Sequence, residues 1–117
     1  MLDEYFKGKA ESRKLFDTLG SVIETLNRVE IRVMKSQVAF YRREAFAWAW
    51  IPGKYLRAKV APLVLTLSLP FKDPSSRWKE IVEPRPGQFT HHLELHSISD
   101  IDDEVRKWVK VAWTEAA

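Results

Sequence analysis

The chain has 117 residues, of which 45% are hydrophobic and 30% charged, with a formal net charge of +3 and no cysteine. This length and composition predict one globular domain over residues 1–117 that buries its own core. The lack of cysteine excludes disulfides and thiolate metal ligands. The acidic N-terminus differs from a signal peptide, and no apolar run reaches the ~20 residues of a membrane helix. We therefore expect a soluble, cytoplasmic protein with no membrane partner.

Two helices are predicted, one near each end of the chain. After a short turn over residues 2–7, ended by Gly8, residues 10–27 carry apolar side chains at the spacing of a single helical stripe. A second stripe spans residues 101–116, and the acidic side chains in its first turn complement the helix dipole. Ser97 or Ser99 is the predicted N-cap of this second helix.

Between the helices, six segments have the alternation or composition of strands: residues 29–34, 37–42, 45–51, 62–69, 78–83 and 88–96. Their short connections favour antiparallel pairing. The predicted fold class is α+β, with a single, mainly antiparallel sheet of about five or six strands. The N-terminal and C-terminal helices are expected to pack on one face of this sheet.

Strand alternation also predicts which face the helices leave open. The leucines of residues 62–69 and Phe89, Leu93 and Leu95 are expected to face the helices, and so are Val38, Phe40, Phe46, Trp48 and Trp50. His91 has the same parity as Phe89 and is expected on the core side. The open face would then carry Gln37, Ala39, Tyr41, Arg43, Ala47, Ala49, Thr66, Ser68, His92 and His96.

The basic side chains are concentrated in the middle of the chain. Residues 28–85 contain 12 lysines and arginines against 5 acidic residues, a distribution that can attract anionic partners. The sequence therefore favours a non-catalytic binding module, with nucleic acid as the leading partner. The alternative is a protein partner or a second copy of the chain. The candidate binding residues are Lys35, Gln37, Tyr41, Arg42, Arg43, Arg57, Arg77, His91 and His92.

Catalysis and metal binding are the less favoured alternatives. A small hydrolase could use His91 as its base, but no glycine-framed nucleophile turn or glycine-rich phosphate loop is present. His92, Glu94 and His96 share one strand face, yet each step of two residues spans ~6.7 Å, too far for all three to bind one ion. We therefore expect no enzyme activity, no cofactor and no metal.

Several short motifs follow one another in an order that resembles a small bacterial family catalogued as a domain of unknown function. They are Lys35-Ser36-Gln37, Ala61-Pro62-Leu63-Val64-Leu65, Thr90-His91-His92-Leu93-Glu94-Leu95 and Asp102-Asp103-Glu104-Val105. The resemblance implies the fold and no activity. In related sequences the second histidine can be arginine, which argues against a role for His92 that only imidazole could fill. More remotely, the order of elements is similar to the MmcQ/YjbR-like proteins, which have been proposed to bind DNA.

Overall fold

The computed structural model describes residues 1–52 and 60–117, which form three α-helices and one six-stranded antiparallel sheet. The helices are α1 (Leu2–Tyr5), α2 (Ala10–Glu24) and α3 (Asp103–Glu115). The strands are β1 (Glu30–Val33), β2 (Val38–Tyr41), β3 (Ala45–Trp50), β4 (Leu63–Leu69), β5 (Glu80–Arg85) and β6 (Gln88–Leu95), in the spatial order β1-β2-β3-β4-β6-β5. The α+β prediction is confirmed. Among the described residues, no helix combines the length and the apolarity needed to cross a bilayer.

The core lies between one face of the sheet and helices α2 and α3. Leu15 and Phe16 of α2 and Val105 and Val109 of α3 belong to one buried cluster with the sheet, and the rings of Phe16 and Phe40 stack with centroids 5.9 Å apart. Each such side chain contributes about 1.5–3 kcal/mol when it is fully removed from water. The amphipathic stripes therefore fix both helices on the same face, and within residues 1–52 and 60–117 no helix lies on the opposite face.

Strand β3 departs from the predicted alternation. The register pairs Phe40 with Ala47 and Tyr41 with Ala45, so that Phe46 has no partner of its own. This bulge adds one residue to the strand and re-aims the side chains around it. Phe46 and Ala47 both join the core, and the alternation that follows is reversed. The prediction that Trp48 and Trp50 lie in the core is wrong.

The same bulge corrects the prediction for the alanines. Ala47 and Ala49 are fully buried and pair with Leu67 and Leu65, so both face the helices and not the open face. Their small side chains suit a face against which α3 packs closely, since Ala112 of α3 belongs to the same buried cluster.

The face without helices, called here the wet face, is defined by cross-strand partners. One row of paired residues runs across the sheet from Arg32 through Ala39, Trp48, Thr66 and His92 to Glu80. The neighbouring rows add the other side chains of the wet face, which are Glu30, Tyr41, Trp50, Val64, Ser68, Thr90, Val82 and Glu94.

Helix α3 begins later than the sequence suggested. Its N-cap is Asp102, whose carboxylate accepts a hydrogen bond from the Val105 backbone N–H at 3.1 Å. Ser97 instead opens a single 3-10 turn, Ile98–Asp100, in which the Asp100 carboxylate accepts from the backbone N–H groups of His96 and Ser97. The predicted serine cap of α3 is therefore wrong. The 3-10 turn and the buried Ile101 separate Ser97 from the helix.

Candidate binding face of the sheet

Aromatic side chains mark the wet face. Trp48, Trp50 and Tyr41 lie on it and are each half-buried, so part of every ring reaches solvent. The guanidinium of Arg32 lies 4.0 Å from the centroid of the Tyr41 ring and forms an ion pair with Glu30. This arrangement provides flat apolar surfaces between polar and charged groups.

A hydrogen-bonded network fixes Trp50 and His92 around a buried threonine. The indole Nε1–H of Trp50 donates to Thr66 Oγ1 at 2.9 Å, and Thr66 Oγ1 lies 2.7 Å from His92 Nδ1. The indole N–H can only donate, so Thr66 Oγ1 accepts from Trp50 and its own hydroxyl proton is free to donate to His92 Nδ1. The geometry therefore favours a neutral His92 whose own proton is on Nε2. Burial lowers the pKa of His92, against a smaller opposing effect of Glu80.

A cavity of about 390 Å³ lies beside this network at one end of the wet face. Its polar groups are His92, Lys79, Glu80 and Glu94, and the Lys79 ammonium lies 3.6 Å from a Glu94 carboxylate oxygen. The remaining walls are apolar: Trp50, Pro52, Val60 and Val64.

A second cavity, of about 600 Å³, lies at the opposite end of the strands. Its walls include Tyr41 and Trp48 from the wet face together with Arg85, Gln88 and the C-terminal end of α3. The amide of Gln88 is held by a hydrogen bond to Ser68 Oγ at 3.1 Å. The three aromatic side chains thus divide between the two cavities, with Trp50 at one end and Trp48 and Tyr41 at the other.

His91 lies on the helix face with no exposed surface, so a surface partner cannot touch it. Its Nδ1 is 3.1 Å from the Phe89 carbonyl, and its Nε2 accepts the Asp73 backbone N–H at 3.0 Å. Both bonds exist together only in the neutral tautomer with the proton on Nδ1. Burial lowers the pKa of His91, and the nearby Phe89 carbonyl and Asp73 carboxylate oppose this less strongly. The lone pair that a general base would need is occupied by a backbone N–H.

The loop that meets His91 is itself tied to the core. The Asp73 carboxylate accepts hydrogen bonds from Trp78 Nε1 at 2.9 Å and from the Ser75 backbone at 3.0 Å. Although burial raises the pKa of Asp73, these bonds lower it by more, and the net pKa lies below the usual value. Trp78 packs between His91 and Trp108, with ring centroids 4.7 and 4.2 Å away. These contacts hold the connection between β4 and β5 in place.

Two of the predicted phosphate-binding arginines are engaged in structural contacts. Arg77 donates to Asp102 and Glu104 and to the Asp100 carbonyl, at 2.8–3.1 Å. Arg42 stacks 3.7 Å from the Trp113 ring centroid and donates to the Trp113 carbonyl at 3.2 Å. There its charge complements the C-terminal end of the α3 dipole.

The remaining predicted residues are not brought together. Lys35 lies in the turn between β1 and β2 and Arg43 in the turn between β2 and β3, at opposite ends of β2. Both are exposed and form no ion pair within the described part of the chain. Gln37 contacts the Met34 sulfur at 3.7 Å, and Arg57 lies outside the described residues.

Sequence reasoning missed Trp48 and Trp50 as members of the wet face. The available signal was side-chain size: a strand face that must accept a closely packed helix favours alanine over tryptophan. If Ala47 and Ala49 had been assigned to the helix-facing side of β3, both tryptophans would have been predicted on the opposite, wet face. Among residues 1–52 and 60–117, no three histidine, aspartate or glutamate side chains cluster as metal ligands would.

Comparison with known proteins identifies a matching family for this chain. Neither the curated proteins nor the solved structures include a match to this chain. One family model, described as a domain of unknown function (DUF5655), matches residues 2–116, almost the whole chain. The match includes all three helices and all six strands. This chain therefore belongs to the DUF5655 family.

Proposed function

We propose that this domain is a non-catalytic binding module that holds single-stranded nucleic acid on the wet face. The observation that carries the proposal is the position of Trp48, Trp50 and Tyr41 on a sheet face that no helix of the described residues covers. Aromatic rings on an open surface stack with bases, at ~1–3 kcal/mol per base, without requiring a particular sequence. The sequence alone supports placing the domain in the bacterial cytoplasm.

The distribution of charge favours a single strand over a duplex. Lys35 and Arg43 stand at the two ends of β2, and the eight residue steps between them span at most ~26 Å at about 3.3 Å per residue. Tyr41 lies on the strand between them, and Trp48 is paired with Ala39 of the same strand. A short single strand laid along β2 could place a phosphate at each end and bases over the rings.

The carboxylates of the wet face limit how much phosphate attraction can contribute. Glu30 is paired with Arg32 and Glu94 with Lys79, which leaves Lys35 and Arg43 as the unpaired cations along this path. Two phosphate contacts on a single strand predict a slope of only about −1.4 in log Kobs against log salt. Stacking must then supply most of the affinity.

The state of His91 supports a non-catalytic role. Its Nε2 lone pair already accepts the Asp73 N–H, and its side chain has no exposed surface. A hydrolase that used this imidazole would need a free lone pair within reach of substrate.

The test is a titration with labelled homopolymer DNA and RNA single strands and with a DNA duplex across a salt series. We expect binding of single strands in preference to the duplex, with the shallow slope given above. The variant W48L should weaken binding by about tenfold, because loss of one stacked base is worth ~1–3 kcal/mol. The variant K35E/R43E should weaken binding and flatten the salt dependence.

The matched control is K14E/K107E, which changes the net charge equally on the helices, away from the wet face. It should bind like the parent protein. No binding to any strand at low salt contradicts the proposal. Equal losses in K14E/K107E and K35E/R43E would show non-specific charge attraction, and a duplex preferred with a steep slope would also overturn the proposal.

A further inference from the structure

The two edge strands of the sheet differ in how they are protected. Edge strand β5 contains Pro84 and a break in register between Val82 and Arg85, two devices that prevent pairing with another chain. Strand β1 has a regular register with β2 and contains neither proline nor a bulge. Its apolar Ile31 side chain is 44% exposed, which is expected at a sheet edge that no further strand covers. Strand β1 is the open edge of this sheet.

The backbone of β1 presents alternate residues to that edge. Met34 N–H donates to the Gln37 carbonyl at 2.8 Å, which makes Met34 and Gln37 a hydrogen-bonded pair. Hydrogen-bonded and non-bonded pairs alternate along an antiparallel ladder. Arg32 and Glu30 therefore bond to β2, while the N–H and C=O groups of Ile31 and Val33 point outward. These outward groups are what an added strand would use.

Charge selects one register for a second copy of β1. Antiparallel self-pairing with Ile31 opposite Ile31 places Glu30 of each copy opposite Arg32 of the other. Sliding one copy by two residues either way places Glu30 opposite Glu30 or Arg32 opposite Arg32. Opposite charges across a strand pair stabilise it and like charges destabilise it. In the register centred on Ile31, the outward N–H and C=O groups of one β1 also lie opposite the outward groups of the other, so backbone hydrogen bonds can form between the two copies.

We propose that β1 pairs with β1 of a second copy of this chain, which gives a two-fold symmetric dimer with one continuous twelve-stranded sheet. Ile31 of each copy covers the other on the helix face, and Glu30 and Arg32 form two reciprocal ion pairs on the wet face. The contact is small, so the dimer belongs to the weak class of interfaces below ~1,200 Å². The inference does not depend on nucleic-acid binding, since it rests on the outward backbone groups and the charge order of β1 and not on the aromatic side chains of the wet face.

The experiment is sedimentation equilibrium from about 10 µM to about 1 mM, a range suited to weak interfaces. We expect a monomer–dimer equilibrium in the parent protein. The single variants E30R and R32E each place like charges opposite one another at both symmetric contacts between positions 30 and 32. Each should shift the equilibrium towards monomer. The double variant E30R/R32E restores opposite charges in the same register and should recover dimer.

Circular dichroism of all four proteins shows whether a change in mass reflects loss of fold, and the double variant keeps the test decisive if one single variant unfolds. I31P offers a second probe, because it removes an outward N–H while leaving the bonds to β2 intact. It should also be monomeric. A parent protein that is monomeric at the highest concentration overturns the proposal. So does a dimer that both single variants leave unchanged, or one that the double variant fails to recover.

Discussion

At the level of single residues, His91 uses both ring nitrogens to hydrogen-bond backbone groups inside the core. Its Nδ1–H donates to the Phe89 carbonyl and its Nε2 accepts the Asp73 N–H, so the buried imidazole satisfies two partly buried backbone groups. Its ring also packs on Trp78. The sequence predicted its burial from strand parity alone. The partner from the β4–β5 loop could not be predicted, because nothing in the pattern aligns Asp73 with His91.

We predict that H91F destabilises the protein by about 2–4 kcal/mol, because phenylalanine keeps the volume but leaves two partly buried backbone groups without their partner, at ~1–3 kcal/mol each. Urea unfolding monitored by circular dichroism measures the change. H96F is the matched control, since His96 is exposed and substitutions of exposed residues usually stay within about 0.5 kcal/mol. A value for H91F as small as that of the control would mean that the hydrogen bonds contribute little.

His91 and His92 together predict a loss of stability in mild acid. Burial lowers both folded pKa values below the ordinary value of about 6.5. Below pH ~6.5 the unfolded chain therefore binds protons that the folded protein does not. The stabilising contribution of the neutral imidazoles is complete above this pH and decreases as the pH falls towards the folded pKa values. The pKa values of Asp73 and Asp102 are lowered too, but these carboxylates titrate at lower pH. Their protonation therefore does not contribute to the stability change in this pH window.

Urea unfolding at several pH values between about 7.5 and 5.5 tests this expectation. The free energy of unfolding of the parent protein should fall across the window, and the variant H91F/H92Q should show a smaller fall. NMR titration of the imidazole protons should give midpoints below about 6.5 for both residues. Midpoints at or above that value would contradict the lowered pKa values of the folded protein.

At the level of elements, the predictability of a strand depended on whether its alternation was unbroken. In β4 and β6 every second residue is a large apolar side chain, apart from His91 in β6, and the predicted faces are correct. In β3 the bulge at Phe46 reverses the alternation, and a period of two cannot reveal a residue that is skipped. The candidate face was therefore located correctly on β2, β4 and β6, while its two tryptophans were assigned to the wrong side.

Arg77 joins two elements that the sequence separates by 25 residues, the β4–β5 loop and the start of α3. It contacts the N-cap carboxylate of Asp102, the Glu104 carboxylate and the Asp100 carbonyl. We predict that R77M, which keeps the aliphatic stem, lowers the free energy of unfolding by about 1 kcal/mol, because a network of this kind exceeds an isolated surface pair. Thermal and urea unfolding measure the change.

The control for this prediction is R106M, which removes a more exposed ion pair within α3, at 3.2 Å from Asp103. Pairs of this type contribute about 0.3–0.5 kcal/mol. The difference between the two variants should decrease as salt screens the carboxylates. If R77M cost no more than R106M, Arg77 would be available to a ligand, and its place in the nucleic-acid hypothesis would have to be restored.

At the level of the whole molecule, the sheet has a protected centre and two unequal edges. Strand β4 lies between β3 and β6, and its Leu63, Leu65 and Leu67 have no exposed surface. Opening these amides to water requires breaking the core, so their exchange approaches the free energy of global unfolding. In a monomer, the outward amides of Ile31 and Val33 on β1 can exchange with water without any opening of the core.

We therefore predict a gradient of hydrogen exchange from β4 outward, measured by mass spectrometry or NMR. The amides of β4 and the adjoining part of β6 should exchange slowest, and those of α1 and of the Pro84 end of β5 should exchange fast at every protein concentration. Exchange at Ile31 and Val33 should slow with rising concentration, because a second β1 would engage these groups, whereas the exposed amides of β5 serve as the internal control. Concentration-independent exchange at β1 would mean that the open edge stays unpaired, and the wet face would then act in a single copy.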